Sequence, residues 1–169
     1  MLIDCSYFID GPRHIQNASL GKMPNPNAEE VNAAIKAYIK IFQRPFLKGV
    51  LGVTFARSLD TYLKTLDDNE GAEHDMELDM IIEQLREPFA NYVFYKILRD
   101  GNSQATMTGL VRLKCANDYV SPIRRQVSAW NDMVDMIADF SAWSKSDNCY
   151  VSGIETDSNF LTKINNLNL

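Results

Sequence analysis

Ser121-Pro122-Ile123-Arg124-Arg125-Gln126-Val127-Ser128-Ala129-Trp130-Asn131-Asp132-Met133-Val134 contains a helix start and the first turns of an amphipathic face. The Ser121 hydroxyl suits an N-cap, and Pro122 suits the first helical position, where no backbone donor is needed. Apolar residues recur at Ile123, Val127, Trp130, Val134, Ile137 and Phe140, the spacing of a helix with one wet face. The helix is expected to end near Ser146. A helix with one apolar stripe needs other helices to bury it against, and the same period recurs upstream.

Asn27 is expected to cap the first of these helices, with Glu29 and Glu30 in the first turn, where the helix dipole favours acids. Its stripe is Val31, Ile35, Tyr38, Ile39 and Phe42. Arg44-Pro45 is expected to kink or restart it. Phe46, Leu47, Val50 and Leu51 continue the apolar face, and Gly49 and Gly52 permit a tight turn or a close helix contact. A second helix runs through Phe55, Leu59, Tyr62, Leu63 and Leu66. The acidic stretch Asp67 to Asp79 reads as a solvated surface, or as a negative patch that meets a basic partner or repels DNA. The next helix spans about Met76 to Arg99, with Met80, Ile81, Leu85, Phe89, Tyr92, Val93 and Ile97 inward and Pro88 expected to bend or split it. Its segment Phe89 to Lys96 is apolar on more than one face, which places it centrally in the bundle or beneath another chain.

Residues 100 to 120 change character. Asp100 to Ser103 reads as a turn and Gln104 to Gly109 as small and polar; Leu110, Val111 and Leu113 then alternate with Arg112 and Lys114, which predicts a short strand or extended arm. The chain is therefore expected to be mainly α, a single domain forming a bundle of four to five helices with a short β-like arm at about 106 to 115. An irregular N-terminal arm covers 1–26, the helical core 27–146 and a polar tail 147–169. Leu2, Ile3, Tyr7, Phe8 and Ile9 need a surface, their own domain or a neighbour's. The tail either caps the bundle or reaches a neighbour.

With 169 residues, 46% hydrophobic and 23% charged, the chain suffices for one domain with a sizeable core. A net charge of −5 argues against broad binding to nucleic-acid phosphates and is compatible with DNA sliding past without sticking. Cys5, Cys115 and Cys149 lie far apart with no C-x-x-C spacing, so reduced thiols are expected and no zinc site. No signal-peptide pattern and no apolar run near the ~20 residues of a membrane span occur; a cytoplasmic protein with no membrane partner is expected. His74 sits among Glu73, Asp75 and Glu77 without matching a metal motif, and there is neither a nucleophile elbow nor a phosphate-binding glycine loop. No catalytic residue, metal or cofactor is expected. Arg112, Lys114, Arg124 and Arg125, with Tyr119 nearby, form a small basic spot that is either solvated or meets an acidic patch on a neighbouring copy, the latter supplied by Asp67 to Asp79. Trp130 is read as core and Trp143 as core or interface; Met76, Met80, Met133 and Met136 are read as core filler.

Three segments carry a resemblance: Ala37 to Gly52, Pro88 to Asp100, and Asn117 to Ser121 leading into Arg125 to Val134. In this order they resemble a family of small phage and prophage proteins of gut Bacteroides-type bacteria, itself similar to the head-completion (head–tail connector) proteins of tailed phages. The resemblance covers most of residues 30 to 140 and offers no catalytic residue to carry over. It implies a structural virion-assembly protein, in the host cytoplasm or the virion, docking with other copies of itself as a ring and with portal or tail proteins while DNA passes through a lumen. The tail after Asn148 and the acidic block depart from the family pattern. Leu110, Val111, Arg112 and Lys114 are the expected arm contacts, Arg124 and Arg125 the polar interface residues, and Trp143 a further interface candidate. The rival readings are an acidic protein-binding module that regulates a host or phage protein, and a small metal-dependent hydrolase using the acidic block.

Overall fold

The periodicities fold, among the described residues, into four α-helices: α1 (Pro26–Leu51), α2 (Val53–Asp68), α3 (Met76–Asp100) and α4 (Ile123–Ser144). The computed structural model describes residues 1–20, 26–69, 71–101, 103–106, 109–112, 122–146 and 153–165, with the backbone alone at 26, 103–106 and 109–112. The main helix packing is α3 on α4, α1 on α2 and α1 on α3, so α3 is central. Every residue from Pro88 through Tyr95 is buried. The apolar all-round segment of α3 is thus covered by its own bundle.

Of the outcomes expected at the two prolines, a restart at Pro45 and a split at Pro88 do not occur. Pro45 lies within α1 and Pro88 within α3. Proline forfeits a bond to the carbonyl four residues earlier; those carbonyls belong to Ile41 and Gln84, both exposed residues within reach of water. The break falls at Gly52 instead, whose φ of 79° is open to glycine and strained for other residues. Helix starts differ by one or two residues. α1 begins at Pro26, with Asn27 in its first turn. α4 begins at Ile123 after Pro122, and Ser121 lies outside the described residues. Asp75 caps α3 by accepting from the Glu77 and Leu78 backbone N–H groups.

The inward stripes need two corrections. Met80 is 49% exposed while Ile82 is buried, because the face of α3 turned to the core at its start is Ile81, Ile82 and Leu85. On α4 the buried residues are Gln126, Ala129, Met133, Val134, Ile137, Phe140 and Ser141; Ile123, Val127 and Trp130 are half-buried. Trp130 is not deep core: it lies beneath the C-terminal segment and donates its indole N–H to Thr162 O at 2.9 Å.

Residues 1–20 and 153–165 pack on the bundle. The irregular N-terminal arm, for which a short strand or an extended course is expected, carries two 3-10 turns, Cys5–Phe8 and Gly11–Arg13, and buries Leu2, Ile3, Cys5 and Phe8. Cys5 is a free buried thiol; Cys115 and Cys149 lie outside the described residues. Arg13 fastens this arm to α3, donating to Asn91 Oδ1 at 3.0 Å and Glu87 Oε2 at 2.6 Å. At the other end, residues 153–165 cap the bundle. Thr156 donates to Val50 O, Asp157 N–H donates to Gly49 O, Asn131 exchanges two bonds with Ile164, and the Phe160 ring lies 5.6 Å from Tyr92 and 5.9 Å from Phe46. Such ring pairs contribute about 0.5–1.5 kcal/mol each beyond their buried area.

Between α3 and α4 the chain forms an antiparallel hairpin, β1 (Ser103–Thr106) with β2 (Gly109–Arg112), in the register Ser103↔Arg112 and Thr106↔Gly109. The expected arm is its second strand. The first falls where a turn ending at Ser103 and a small, polar segment from Gln104 are expected; Ser-Gln-Ala-Thr shows no apolar alternation, and pairing with β2 supplies what the side chains do not.

Candidate docking surfaces

The hairpin positions Leu110, Val111 and Arg112 on β2, paired respectively with Ala105, Gln104 and Ser103. Lys114 and Tyr119 lie outside the described residues. Arg124 is exposed in the first turn of α4. Arg125, also exposed, is engaged within the chain: its guanidinium donates to Pro12 O at 3.0 Å and stacks 5.0 Å from the Phe94 ring centre. Trp143 is half-buried with its ring 5.8 Å from that of Phe140. Arg124 and Arg125 thus share a helix start, while Trp143 stands at the opposite end of α4.

Arg125, Arg13 and buried Asn91 border a cleft of about 220 Å³ where the N-terminal arm crosses α3 and α4. That is below the span of ordinary small-molecule sites, about 300–1,000 Å³. Nearby, the Lys96 ammonium stands 4.9 Å from the ring centre of Tyr92, 5.3 Å from Phe42 and 5.6 Å from Tyr95. Burial among these rings lowers its pKa from the usual lysine range, while the ring faces attract the cation.

A larger groove, about 780 Å³, lies between the end of α1 and the face of α2 from Val53 to Lys64. It is basic: Arg44, Lys48, Arg57 and Lys64 line it, against one acid, Asp60. Asp60 is already engaged by Lys64 at 2.9 Å and by the Gln43 amide at 3.3 Å. Arg44, Lys48 and Arg57 are exposed and form no ion pair among the described residues. Four cations converge here on a chain of net charge −5. Sequence reading missed it, since the four are spread over two helices and only the Gly52 turn brings them together.

The acidic stretch is a knitted corner. Tyr62 donates to Asp79 Oδ1 at 2.9 Å, the Asp75 backbone N–H donates to the Tyr62 oxygen at 2.9 Å, and His74 Nδ1 lies 2.9 Å from Asp79 Oδ2. Burial raises the Asp79 pKa, but hydrogen bonds from His74 and Tyr62 outweigh it and hold the carboxyl below its usual value. Asp67 pairs with the N-terminal ammonium. Asp68, Glu73 and Glu77 stay exposed without an ion pair among the described residues. Among the described residues, no three His, Cys, Asp or Glu side chains converge as metal donors, and no described helix is long and apolar enough to cross a membrane.

The chain matches no family model, no curated protein and no solved structure.

Proposed function

We propose that the protein is a structural virion-assembly subunit, a phage or prophage head–tail connector or adaptor, that works by docking with copies of itself in a ring and with portal or tail proteins. The observation that carries this reading is the hairpin between α3 and α4. Two paired strands of four residues each are marginal alone in water. The outer edge of such a ribbon offers backbone donors and acceptors to a strand from another chain. The contrast with residues 1–20 and 153–165, which pack on the bundle, favours the hairpin as the part that reaches outward.

Deleting residues 103–115 tests this. The expected result is an intact helical circular-dichroism spectrum and cooperative unfolding with loss of ring assembly. A truncated protein that still forms rings removes the arm from the mechanism.

A second reading, an acidic module that binds one basic partner, draws support from exposed Asp68, Glu73 and Glu77. It predicts a stable monomer at every protein concentration, which light scattering distinguishes from a ring.

A further inference from the structure

We infer that the basic groove between α1 and α2 receives the acidic corner of a second copy of this chain, head to tail. The inference deepens the ring reading and rests on it. The two surfaces are complementary in charge: Arg44, Lys48 and Arg57 on one side, Asp68, Glu73 and Glu77 on the other, all exposed and without ion pairs among the described residues. They are also alike in carrying exposed apolar side chains. Val53, 56% exposed, lines the groove, and Ile41, 62% exposed, lies three and seven residues before Arg44 and Lys48 on the same face of α1. The corner carries Met76 at 80% and Met80 at 49% exposure. Methionine adapts its shape to a partner at low cost, and apolar anchors ringed by charge are what a protein interface presents.

The geometry fits an open-ended contact. Arg57 and Asp68 lie on the same helix, about 17 Å apart at 1.5 Å per residue. One copy therefore presents its groove and its corner at different places. A surface that pairs with a different surface of the next copy is heterologous, and such contacts close into rings when the rotation allows. A two-fold dimer centred on the groove alone would put cations against cations; one that pairs groove with corner twice would stop at two copies, which sedimentation velocity distinguishes from a ring. Nucleic-acid phosphates are the other chemistry that four cations attract, but Asp60 in the groove and the net negative charge of the whole chain disfavour them.

A charge exchange tests the inference. Lys48→Glu with Arg57→Glu reverses the groove; Asp68→Lys with Glu73→Lys reverses the corner. Sedimentation velocity of the full chain at low salt is expected to reveal self-association that weakens as salt rises, since screening acts at about 10 Å in 0.1 M salt. Each reversed variant is expected to lose at least tenfold in self-affinity with an unchanged circular-dichroism spectrum. An equimolar mixture of the two is expected to recover it, because each then meets an opposite charge on both sides. Recovery in the mixture also excludes misfolding as the cause of the loss. A folded pair that stays monomeric when mixed overturns the inference. Wild-type assembly unaffected by either reversal overturns the groove while leaving the ring reading intact; a wild-type chain that never associates overturns both. Loss of duplex DNA binding in the groove variant, with self-association unchanged, would assign the groove to nucleic acid instead.

Discussion

Gly49 faces the ring of Phe160 so closely that a β-carbon on it would overlap the ring edge at Cε2, Cδ2 and Cζ. The C-terminal segment is held on the bundle at this point, with Asp157 N–H bonded to Gly49 O at 2.8 Å. In an open helix interior, Gly→Ala stabilises by about 1 kcal/mol. Here Gly49→Ala is expected to destabilise by about 1–3 kcal/mol, the cost of overpacking. Urea denaturation gives the sign. In a Phe160→Ala background the same substitution is expected to become neutral or stabilising, a coupling that a double-mutant cycle measures; two additive effects would mean that the ring does not set the requirement for glycine.

Arg13 is the clasp of the N-terminal arm, and Asn91, only 5% exposed, is its anchor on α3. Arg13→Ala leaves the Asn91 carbonyl oxygen buried without that donor. A cost of about 1–3 kcal/mol is expected, with faster proteolysis of residues 1–20. Arg13→Lys is expected to recover little, because a lysine cannot span Asn91 and Glu87 with one planar fork. A loss of only a few tenths of a kcal/mol for Arg13→Ala would show that apolar burial of Leu2, Ile3 and Phe8 holds the arm unaided.

Asp75 accepts from two backbone N–H groups at the start of α3. Asp75→Ala is expected to cost about 1 kcal/mol, the usual worth of an N-cap, whereas Asp68→Ala, without such bonds, is expected to be neutral. Thermal melts of the two variants separate capping from general acidity; equal losses would contradict the capping role.

Alkaline pH should loosen the fold. Burial pushes the phenols of Tyr7, Tyr38, Tyr62 and Tyr92 above their usual range. The folded state then holds these protons more tightly than the unfolded chain. That contribution is fully present below about pH 10, where an unfolded tyrosine ionises, and is lost as pH climbs through the higher folded values. Lys96 acts in the opposite sense: burial lowers its pKa, so its penalty in the charged form fades as pH rises towards the usual lysine value. Four phenols outweigh one ammonium. The urea midpoint is expected to fall above about pH 10, with tyrosinate absorbance titrating late in the folded protein; a flat or rising midpoint would contradict the assignment.

The helices were legible in the sequence because their stripes repeat at 3.6 residues over long windows. The Val53–Asp68 helix spans the stripe from Phe55 to Leu66, and α3 begins at Met76, where the periodicity places it; sequence reading missed the Asp75 cap. The prolines left more than one outcome open, because a sequence does not tell whether a helix continues through a proline, as α1 and α3 do at Pro45 and Pro88. Met80 misled because methionine suits core and surface alike. The first hairpin strand was invisible, since Ser103–Thr106 owes its conformation to a cross-strand partner. At the candidate site, the acidic corner could be read from its composition, while the basic groove could not: Arg44 and Lys48 meet Arg57 and Lys64 only after the chain reverses at Gly52.

Sedimentation velocity of the intact chain across a wide range of protein concentration tests the docking role most directly. Ring docking predicts a species that grows with concentration and settles at one multiple of the 19.2 kDa protomer, lost when residues 103–115 are removed. A 19.2 kDa monomer at every concentration would contradict it.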